Sequence, residues 1–346
     1  MKKVIAIVGA RPQFIKHFAL EKEAEGIFDF KTIHTGQHYD SNMSQVFFNE
    51  LRMRRPDYSL SLGGGLHGEQ TGKMLIEIER ILMLEQPARV IVYGDTNSTL
   101  AGALASVKLQ IPLAHVEAGL RSYNREMPEE INRILTDHVS EWHFAPSDQA
   151  KENLAKEGIK DNVFVVGDIM KDLVLKAVTN KWIIQPRIDL KDYYYATIHR
   201  PYNTDSGERL SYILSSLNAL DKEVVFSVHP RTRKLLDDYG LLRQDYKNVI
   251  FIDPQGYFEN LGFLYHSDGL ITDSGGMQKE AYWLMKRCVT IRTETEWVET
   301  LNHNWNQLLF EDLNLLMKSL NPLHIGWHNG LYGLGNSAKQ IIDVLK

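Results

Sequence analysis

Side chains that could carry out acid/base chemistry are concentrated in the segment 94–133. Asp95 and Glu117 each come shortly after a short apolar run, so both are expected at the carboxyl ends of strands, where open α/β sheets gather their ligands. Glu129 and Arg133 lie four residues apart on a predicted helix and share one face. Three carboxylates converging on one cleft predict acid/base chemistry on an anionic substrate. A helix cap at Asp95 and a solvated Glu129–Arg133 ion pair are the structural alternatives.

Two cations, Arg11 and Lys16, follow the first apolar run of the chain, Val4–Val8. Their place beyond a predicted strand favours contact with an anion, and solvated charges in a first helical turn are the alternative. The turn that carries Arg11 is not the Gly-x-Gly-x-x-Gly fingerprint of dinucleotide binding, and the chain has no Walker-type glycine–lysine loop. A nicotinamide cofactor and phosphoryl transfer from ATP are therefore not expected.

In the second half, an apolar run leads through a turn of small residues into a predicted helix at residues 272–280. Backbone N–H groups at the start of this helix would form a pocket for a diphosphate, because Ser274, Gly275 and Gly276 offer little steric obstruction. Glu280 lies one to two turns into the helix, where it could accept hydrogen bonds from ribose hydroxyls. The alternative is a tight turn capped by a serine or an aspartate.

Two histidines, His199 and His229, end consecutive predicted strands of the second half. A lone histidine is more often structural, but two at consecutive strand ends favour a functional role. The scattered histidines lack the spacing of a zinc site such as His-Glu-x-x-His, so no metal is expected.

The amino-acid composition and the net charge limit the class of protein. Hydrophobic residues make up 43% and charged residues 24% of the chain, values that are ordinary for a globular protein. The formal net charge of −5 argues against a broad nucleic-acid or anionic-membrane surface. No stretch approaches the length of a membrane span, and the short apolar start is interpreted as a strand and not as a signal peptide. The single cysteine, Cys288, fits a reducing compartment, so a cytoplasmic location is expected.

Apolar runs alternate with helical periods along the whole chain, which predicts parallel sheets in doubly wound α/β domains. A chain of 346 residues suits two such domains, with the ligand between them. An N-terminal Rossmann-like domain is expected at 1–167 and a C-terminal one at 168–335. The expected strands are Val4–Val8, Lys31–His34, Arg89–Tyr93, Leu113–Val116, Trp142–Ala145, Asn162–Val166, Tyr193–Ile198, Glu223–Val228, Asn248–Ile252, Gly269–Thr272 and Cys288–Ile291.

Taken together, the motifs resemble those of the non-hydrolysing UDP-N-acetylglucosamine 2-epimerase family over nearly the whole chain. The motifs are Gly9–Lys16, Gly94–Thr99, His115–Arg121, Pro128–Arg133, Thr197–Arg200 and Thr272–Gly276. The resemblance implies a GT-B-like fold of two domains facing a central cleft, with a C-terminal helix, 336–346, that packs back on the first domain. It also implies a UDP-sugar substrate, no cofactor and a homodimer.

The same resemblance implies a reaction that inverts C2 of a UDP-2-acetamido sugar by elimination and re-addition of UDP, for the synthesis of surface polysaccharide precursors. The acid/base groups would be Asp95, Glu117 and Glu129, oriented by Lys16 and Arg133, and His199 would contact the diphosphate or assist protonation. The UDP-binding residues would be Arg11, His199, His229, Ser274, Gly275, Gly276 and Glu280.

The chain departs from the family pattern at two places. His199-Arg200 is followed by Pro201-Tyr202-Asn203 where the family has Arg-Glu-Asn, and Glu69 stands where the family has arginine. In relatives that depend on a second, regulatory molecule of UDP-N-acetylglucosamine, arginines at these places help to bind it. A carboxylate would repel that diphosphate, so simple hyperbolic kinetics are expected here.

Three segments look more like the branch that acts on 2,3-diacetamido uronic sugar nucleotides: Gly68–Gly72, His38–Asp40 and Glu296–Trp297. The carboxylate of a uronate needs a cation, for which Arg121 or Arg125 is the expected residue. The alternatives to a UDP-N-acetylglucosamine 2-epimerase are therefore a UDP-2,3-diacetamido-2,3-dideoxyglucuronate 2-epimerase, a GT-B glycosyltransferase that uses a UDP-sugar, and a non-catalytic UDP-sugar sensor. The clustered carboxylates argue against the last two.

Overall fold

The computed structural model describes residues 1–37, 53–188, 190–241, 243–321 and 330–346. The motif His38–Asp40 lies outside the described residues. The chain divides into two compact units, Met1–Lys176 with Gly330–Lys346, and Ala177–Asn329. Each unit contains one parallel sheet with helices between successive strands.

The strands, in chain order, are β1 (Lys3–Val8), β2 (Asp29–His34), β3 (Tyr58–Ser59), β4 (Arg89–Tyr93), β5 (Leu113–Val116), β6 (Trp142–Ala145), β7 (Val163–Val165), β8 (Tyr193–Thr197), β9 (Glu223–Ser227), β10 (Val249–Ile252), β11 (Gly269–Thr272), β12 (Arg287–Thr290) and β13 (Asn306–Leu308). The α-helices are α1 (Arg11–Ala24), α2 (His67–Glu85), α3 (Asn97–Lys108), α4 (Pro128–Val139), α5 (Asp148–Lys156), α6 (Ile169–Thr179), α7 (Pro201–Thr204), α8 (Gly207–Asn218), α9 (Pro230–Asp238), α10 (Tyr257–His266), α11 (Gly275–Trp283), α12 (Leu316–Leu320) and α13 (Ser337–Leu345). Short 3-10 helices lie at Arg243–Asp245, Val298–Asn304 and Leu313–Leu315.

The expected α/β fold with two doubly wound sheets is confirmed, and all the strands expected from the sequence are present. Their apolar runs are buried on both faces, as in β1, where residues 4–8 are completely inaccessible. The two strands that the sequence did not reveal are β3 and β13, which have two and three residues. Strands this short are too brief to show a hydrophobic pattern.

The order of strands places the candidate residues. The first sheet has the order β3-β2-β1-β4-β5-β6-β7 and the second β10-β9-β8-β11-β12-β13. The direction of winding therefore reverses between β1 and β4 in the first unit, and between β8 and β11 in the second. Open α/β sheets bind ligands beyond the carboxyl ends of the strands at such a switch point. Asp95 follows β4, and His199 follows β8.

The division between the units comes after Lys176, whereas the sequence placed it after residue 167. The reason is that the first turns of α6 are bound to the C-terminal segment. Asp172 accepts hydrogen bonds from the backbone N–H of Ser337 (3.0 Å) and Ala338 (2.8 Å), and Lys171 Nζ donates to the carbonyl of Gly333 (2.7 Å). The C-terminal segment thus belongs to the first unit from Gly330 onwards, and α13 packs against α1.

Candidate active site

Two carboxylates of the first unit lie at the ends of adjacent strands, and each is paired with a cation. Glu117 follows β5 and forms an ion pair with Lys16 Nζ, which comes from α1. Asp95 follows β4 and forms an ion pair with Arg133 Nη2, which comes from α4. The cations are buried, with side chains only 6% and 5% exposed. The fold therefore collects on one sheet edge four of the residues that the sequence had selected.

The turn at Gly94 joins these two pairs. A side chain added at Gly94 would place its first carbon 3.2 Å from Glu117 Oε2 and 3.7 Å from Lys16 Nζ. Gly94 has a φ of 61° and Glu117 a φ of 77°, so both adopt the left-handed conformation. For a glutamate this conformation costs about 1–3 kcal/mol, and such strain concentrates at functional sites. The close approach of Gly94 explains why the sequence has a glycine directly before Asp95.

The ion pair on α4 is not the solvated Glu129–Arg133 pair that was the structural alternative. Arg133 Nη1 donates to Glu130 Oε2 at 2.9 Å, three residues earlier, and the expected face shared by Glu129 and Arg133 does not bring this arginine to Glu129. Glu130 is completely buried and also accepts hydrogen bonds from the backbone of Ser122 and Tyr123, both at 2.9 Å. Glu129 is half-buried in the first turn of α4. The sequence did contain Glu130 in the same motif, but only the rotation of the packed helix distinguishes it from its neighbour.

A buried ionic network lies beneath the two carboxylate turns. Asp137 on α4 accepts hydrogen bonds from His115 Nδ1 (2.7 Å), Arg121 Nη1 (2.7 Å) and the backbone N–H of Gly119 (3.1 Å). Burial alone would raise the pKa of Asp137, but His115 and Arg121 outweigh it and leave the pKa lowered. The carboxylate is therefore ionised in the folded protein.

Arg121 is not available for a uronate carboxylate, so that expectation is wrong for this residue. Its guanidinium donates to Asp137 and, through Nε and Nη2, to both carboxylate oxygens of Glu157 at 2.7 Å. The side chain is 1% exposed. A guanidinium held by two carboxylates is a structural group. Arg125 is exposed.

A further residue that the sequence did not single out joins the ends of β1 and β4. Gln13 on α1 accepts hydrogen bonds from the backbone of Gly9 (2.7 Å) and Ala10 (3.0 Å). Its amide nitrogen donates to the carbonyl of Tyr93 at 2.6 Å. This side chain fixes the turn that leads into α1, whose first residue is Arg11.

In the second unit, Asp273 organises the loop that carries His199. The buried carboxylate accepts hydrogen bonds from the backbone N–H of His199 (3.0 Å) and Arg200 (2.9 Å) and from the amide of Asn203 (3.1 Å). His199 Nδ1 also lies 3.1 Å from Asp273 Oδ1. Burial acts to raise the pKa of Asp273, but the hydrogen bonds and charge of His199 outweigh it, so the pKa is lowered. His229 lies beside His199, with 5.7 Å between the ring centroids.

Strand β11 ends at Thr272, Asp273 follows it, and α11 begins at Gly275. Ser274 precedes the helix, and its N–H is bonded to Thr272 Oγ1 at 2.9 Å. A side chain on Gly275 would come within 2.6 Å of Glu296 Oε1, whereas one on Gly276 would meet nothing within 4 Å. Gly276 therefore borders open space, and Gly275 is a close-packed position. Glu280 is buried and accepts a hydrogen bond from the hydroxyl of Tyr257 at 3.1 Å.

Among the residues that the structure describes, no three or more His, Cys, Asp and Glu side chains are grouped as metal ligands. In the same residues, no helix has both the length and the apolarity needed to cross a membrane.

The fold is a two-domain α/β architecture of the GT-B-like class, and solved epimerases share it. The UDP-GlcNAc 2-epimerase of Methanocaldococcus jannaschii, solved in complex with UDP-GlcNAc and UDP, superposes with a TM-score of 0.88. It is 42% identical, and the match covers 100% of this chain and 99% of that chain.

The family model described as UDP-N-acetylglucosamine 2-epimerase matches residues 20–346. A Methanococcus maripaludis protein named UDP-N-acetylglucosamine 2-epimerase homolog is 46% identical over 99% of both chains. The UDP-2,3-diacetamido-2,3-dideoxy-D-glucuronate 2-epimerase of Pseudomonas aeruginosa is 43% identical, also over 99% of both chains. The chain belongs to the UDP-N-acetylglucosamine 2-epimerase family, and it is an epimerase.

Proposed function

We propose that this protein inverts C2 of UDP-N-acetylglucosamine, without hydrolysis and without an oxidising cofactor. The observation that carries the proposal is the pair of carboxylates at adjacent strand ends, each held by a buried cation: Glu117 with Lys16 and Asp95 with Arg133. Relatives that bear the name UDP-N-acetylglucosamine 2-epimerase, and a homologous structure with UDP-GlcNAc bound, support this substrate.

The proposed chemistry follows from the substrate. The hydrogen at C2 is not next to a carbonyl group, so its direct removal and return would be slow. Elimination takes the C2 proton onto a carboxylate while the bond between C1 and the diphosphate oxygen breaks, giving UDP and a 2-acetamidoglucal. Re-addition then forms the C1–oxygen bond again while a second group delivers a proton to the opposite face of C2. Two acid/base groups are required, and we propose that they are drawn from three carboxylates, Asp95, Glu117 and Glu129, with Lys16 and Arg133 as orienting cations.

We assign the nucleotide to the second unit, with Arg11 as the one proposed ligand from the first. The open space before Gly276 and the N–H groups at the start of α11 suit a diphosphate, whose charge the helix dipole favours. His199 and His229 lie together near the end of the strands on the same edge. The full set of proposed UDP ligands is Arg11, His199, His229, Ser274, Gly275, Gly276 and Glu280.

The second candidate substrate is the UDP-2,3-diacetamido uronate. The 43% identity with the Pseudomonas aeruginosa enzyme over nearly the whole chain favours it. The engagement of Arg121 by Asp137 and Glu157 removes one of the two cations that we expected to bind the uronate carboxylate. We therefore place the neutral hexosamine first.

We also propose that the enzyme acts as a homodimer in the cytoplasm and supplies a precursor of a surface polysaccharide. The family resemblance supports this proposal. Light scattering coupled to size exclusion should give twice the chain mass of 39.8 kDa. A mass of one chain would contradict the dimer without affecting the reaction.

One NMR experiment tests the function. The protein is incubated in deuterated water with UDP-N-acetylglucosamine or with the diacetamido uronate. Deuterium should appear at C2 together with the manno-configured product, because the returning proton comes from solvent through a side chain. Transfer that requires an acceptor would indicate a glycosyltransferase, and binding without exchange would indicate a sensor. The substrate that exchanges faster decides between the two sugars.

A further inference from the structure

His115, on β5, is completely buried, and both of its ring nitrogens have hydrogen-bond partners. Nε2 lies 2.8 Å from the carbonyl oxygen of Gly94, and Nδ1 lies 2.7 Å from Asp137 Oδ1. A carbonyl oxygen can only accept, so Nε2 must carry a hydrogen. The remaining question is whether the proton between His115 Nδ1 and Asp137 is bonded to the histidine or to the carboxylate.

The surroundings of Asp137 assign that proton to the histidine. The other carboxylate oxygen already accepts from the N–H of Gly119 and from the guanidinium of Arg121. An ionised carboxylate beside Nδ1 can only accept, so Nδ1 must donate as well. We infer from these contacts that His115 is a buried imidazolium that positions the turns carrying Asp95 and Glu117.

The charges of the network agree with this protonation state. The imidazolium and Arg121 are balanced by Asp137 and Glu157, so the buried cluster as a whole is neutral. Moving the proton to Asp137 would also leave the cluster neutral, but the buried guanidinium of Arg121 would then keep only one charged partner, Glu157, whose side chain is 25% exposed. The other titratable groups at the network are His143 on β6, bonded to the backbone carbonyl of Asp137 at 2.7 Å, and His138, which lies 3.3 Å from Glu157.

The His115–Asp137 ion pair is connected with catalysis through the two backbone groups that it binds. His115 binds the carbonyl of Gly94, directly before Asp95, and its partner Asp137 binds the N–H of Gly119, two residues after Glu117. The His115–Asp137 pair therefore joins the two turns and sets the spacing of the carboxylates. It does not contact the substrate, so His115 is a positioning residue. This consequence rests on the proposed function, whereas the protonation state does not.

The neighbouring His143 is a matched internal control. It is also buried, with its Nε2 bonded to a carbonyl, but its Nδ1 has no hydrogen-bond partner among the described residues. Burial lowers the pKa of His143, so it is neutral with the hydrogen on Nε2. The two histidines lie in register on adjacent strands and differ in the presence of a carboxylate at Nδ1.

The protonation state is tested by NMR at pH 7.5 on the ligand-free protein labelled with 15N in histidine. His115 should show one bonded hydrogen on each ring nitrogen, and His143 only on Nε2. The variants His115→Gln and His143→Gln identify the signals. In Asp137→Asn, the amide nitrogen can donate to Nδ1, so His115 should lose that hydrogen and keep the one on Nε2. An unprotonated ring nitrogen on His115 at pH 7.5 in the wild type would overturn the inference.

The positioning role is tested by the rate of C2 exchange. His115→Gln should lower kcat by about 100-fold, the scale expected when reacting groups are displaced by about 1 Å, with KM and UDP affinity changed less than about threefold. His143→Gln should keep kcat within about threefold. Equal losses of kcat in the two histidine variants would overturn the positioning role. If the wild type shows no exchange, the proposed function fails, while the NMR result still decides the protonation state.

Discussion

At the scale of single residues, two of the three proposed acid/base carboxylates, Asp95 and Glu117, are each held by a cation. Lys16 and Arg133 are nearly inaccessible, and a buried cation without its carboxylate is strongly destabilising. Both carboxylates are therefore fixed in place, although Asp95 is 30% exposed and Glu117 only 10%. Asp95 is therefore the easier carboxylate for a sugar to reach. The left-handed backbone of Glu117 indicates that its side chain is held in position at a cost in conformational energy.

The first prediction concerns Asp95. Asp95→Asn should reduce C2 exchange by at least about 100-fold, the usual loss when a general acid or base is removed. UDP affinity, measured by calorimetry, should remain within about threefold, because Asp95 is not among the proposed nucleotide ligands, all of which except Arg11 belong to the second unit. Glu126→Gln, an exposed carboxylate from the loop before α4, is the control and should keep normal turnover. Normal exchange in folded Asp95→Asn would remove this residue from the mechanism.

The second prediction concerns Arg121. Arg121→Ala leaves Asp137 and Glu157 without their guanidinium, so the free energy of unfolding should fall by about 3–5 kcal/mol, measured by denaturant titration. Arg125→Ala, at an exposed position, is the matched control and should change stability by less than about 0.5 kcal/mol. Unchanged stability of Arg121→Ala, together with a selective loss of activity on the uronate, would restore the substrate-binding role that the structure argues against.

At the scale of elements, the start of α11 decides where an anion can approach. Gly275 is closed off by Glu296, whereas Gly276 faces open space. Both glycines come one after the other in a small-residue turn, so the sequence does not distinguish them. The packing of the loop containing Glu296 against the first turn of α11 makes this distinction.

The third prediction follows from that difference. In Gly276→Ala the methyl group meets no protein atom, but it occupies the space assigned to the diphosphate, so the Kd for UDP should rise at least tenfold. The melting temperature should stay the same or rise, because alanine favours a helix by about 1 kcal/mol over glycine. Gly72→Ala, a glycine of α2 that also faces open space, should give the same thermal effect without any change in UDP affinity. Equal UDP affinity in both variants would contradict the assigned diphosphate position.

At the scale of the whole molecule, the chain does not divide into two consecutive halves. The C-terminal segment returns to the first unit, where Ile341, Ile342 and Leu345 of α13 are buried and α13 packs against α1. The stability of the first unit therefore depends on residues more than 300 positions away from its first strand.

The fourth prediction tests this assignment. Ile341→Ala should lower stability by about 2–5 kcal/mol, as expected for a buried isoleucine. Hydrogen exchange followed by mass spectrometry should quicken in peptides of α1 and α13, and peptides of β8 to β12 should be unaffected. The control Lys339→Ala changes a residue on the exposed face of the same helix. Faster exchange only in the second unit would contradict the assignment.

The fifth prediction concerns acid stability. Glu85, at the end of α2, is bonded to Lys3, Lys31 and Tyr58, which lower its pKa to about 2. A carboxylate with a lowered pKa stabilises the fold above its ordinary pKa and loses that contribution as the pH falls towards its folded value. Glu85→Gln should therefore lower the melting temperature by a few degrees at pH 7, and the difference from wild type should shrink between pH 4.5 and 2. A difference that stays constant with pH would show that the ion pairs contribute nothing.

The sequence by itself determined the fold class, the family and the strand ends at which the chemistry is proposed. Continuous apolar runs reveal buried parallel strands, because such strands are covered on both faces. The residues directly after these runs, among them Asp95, Glu117 and His199, could be named because the carboxyl ends of strands are the functional edge of an open sheet.

Only the tertiary structure decided which side chains meet. Glu129 and Glu130 are equivalent in the sequence, and the orientation of α4 brings Glu130 to Arg133. From the sequence, Arg121 was a candidate cation for a substrate carboxylate, but its contacts with Asp137 and Glu157 make it structural. The protonation of His115 depends on a carboxylate 22 residues away on another element. In each case the outcome depends on side-chain directions and long-range packing, which local patterns do not contain.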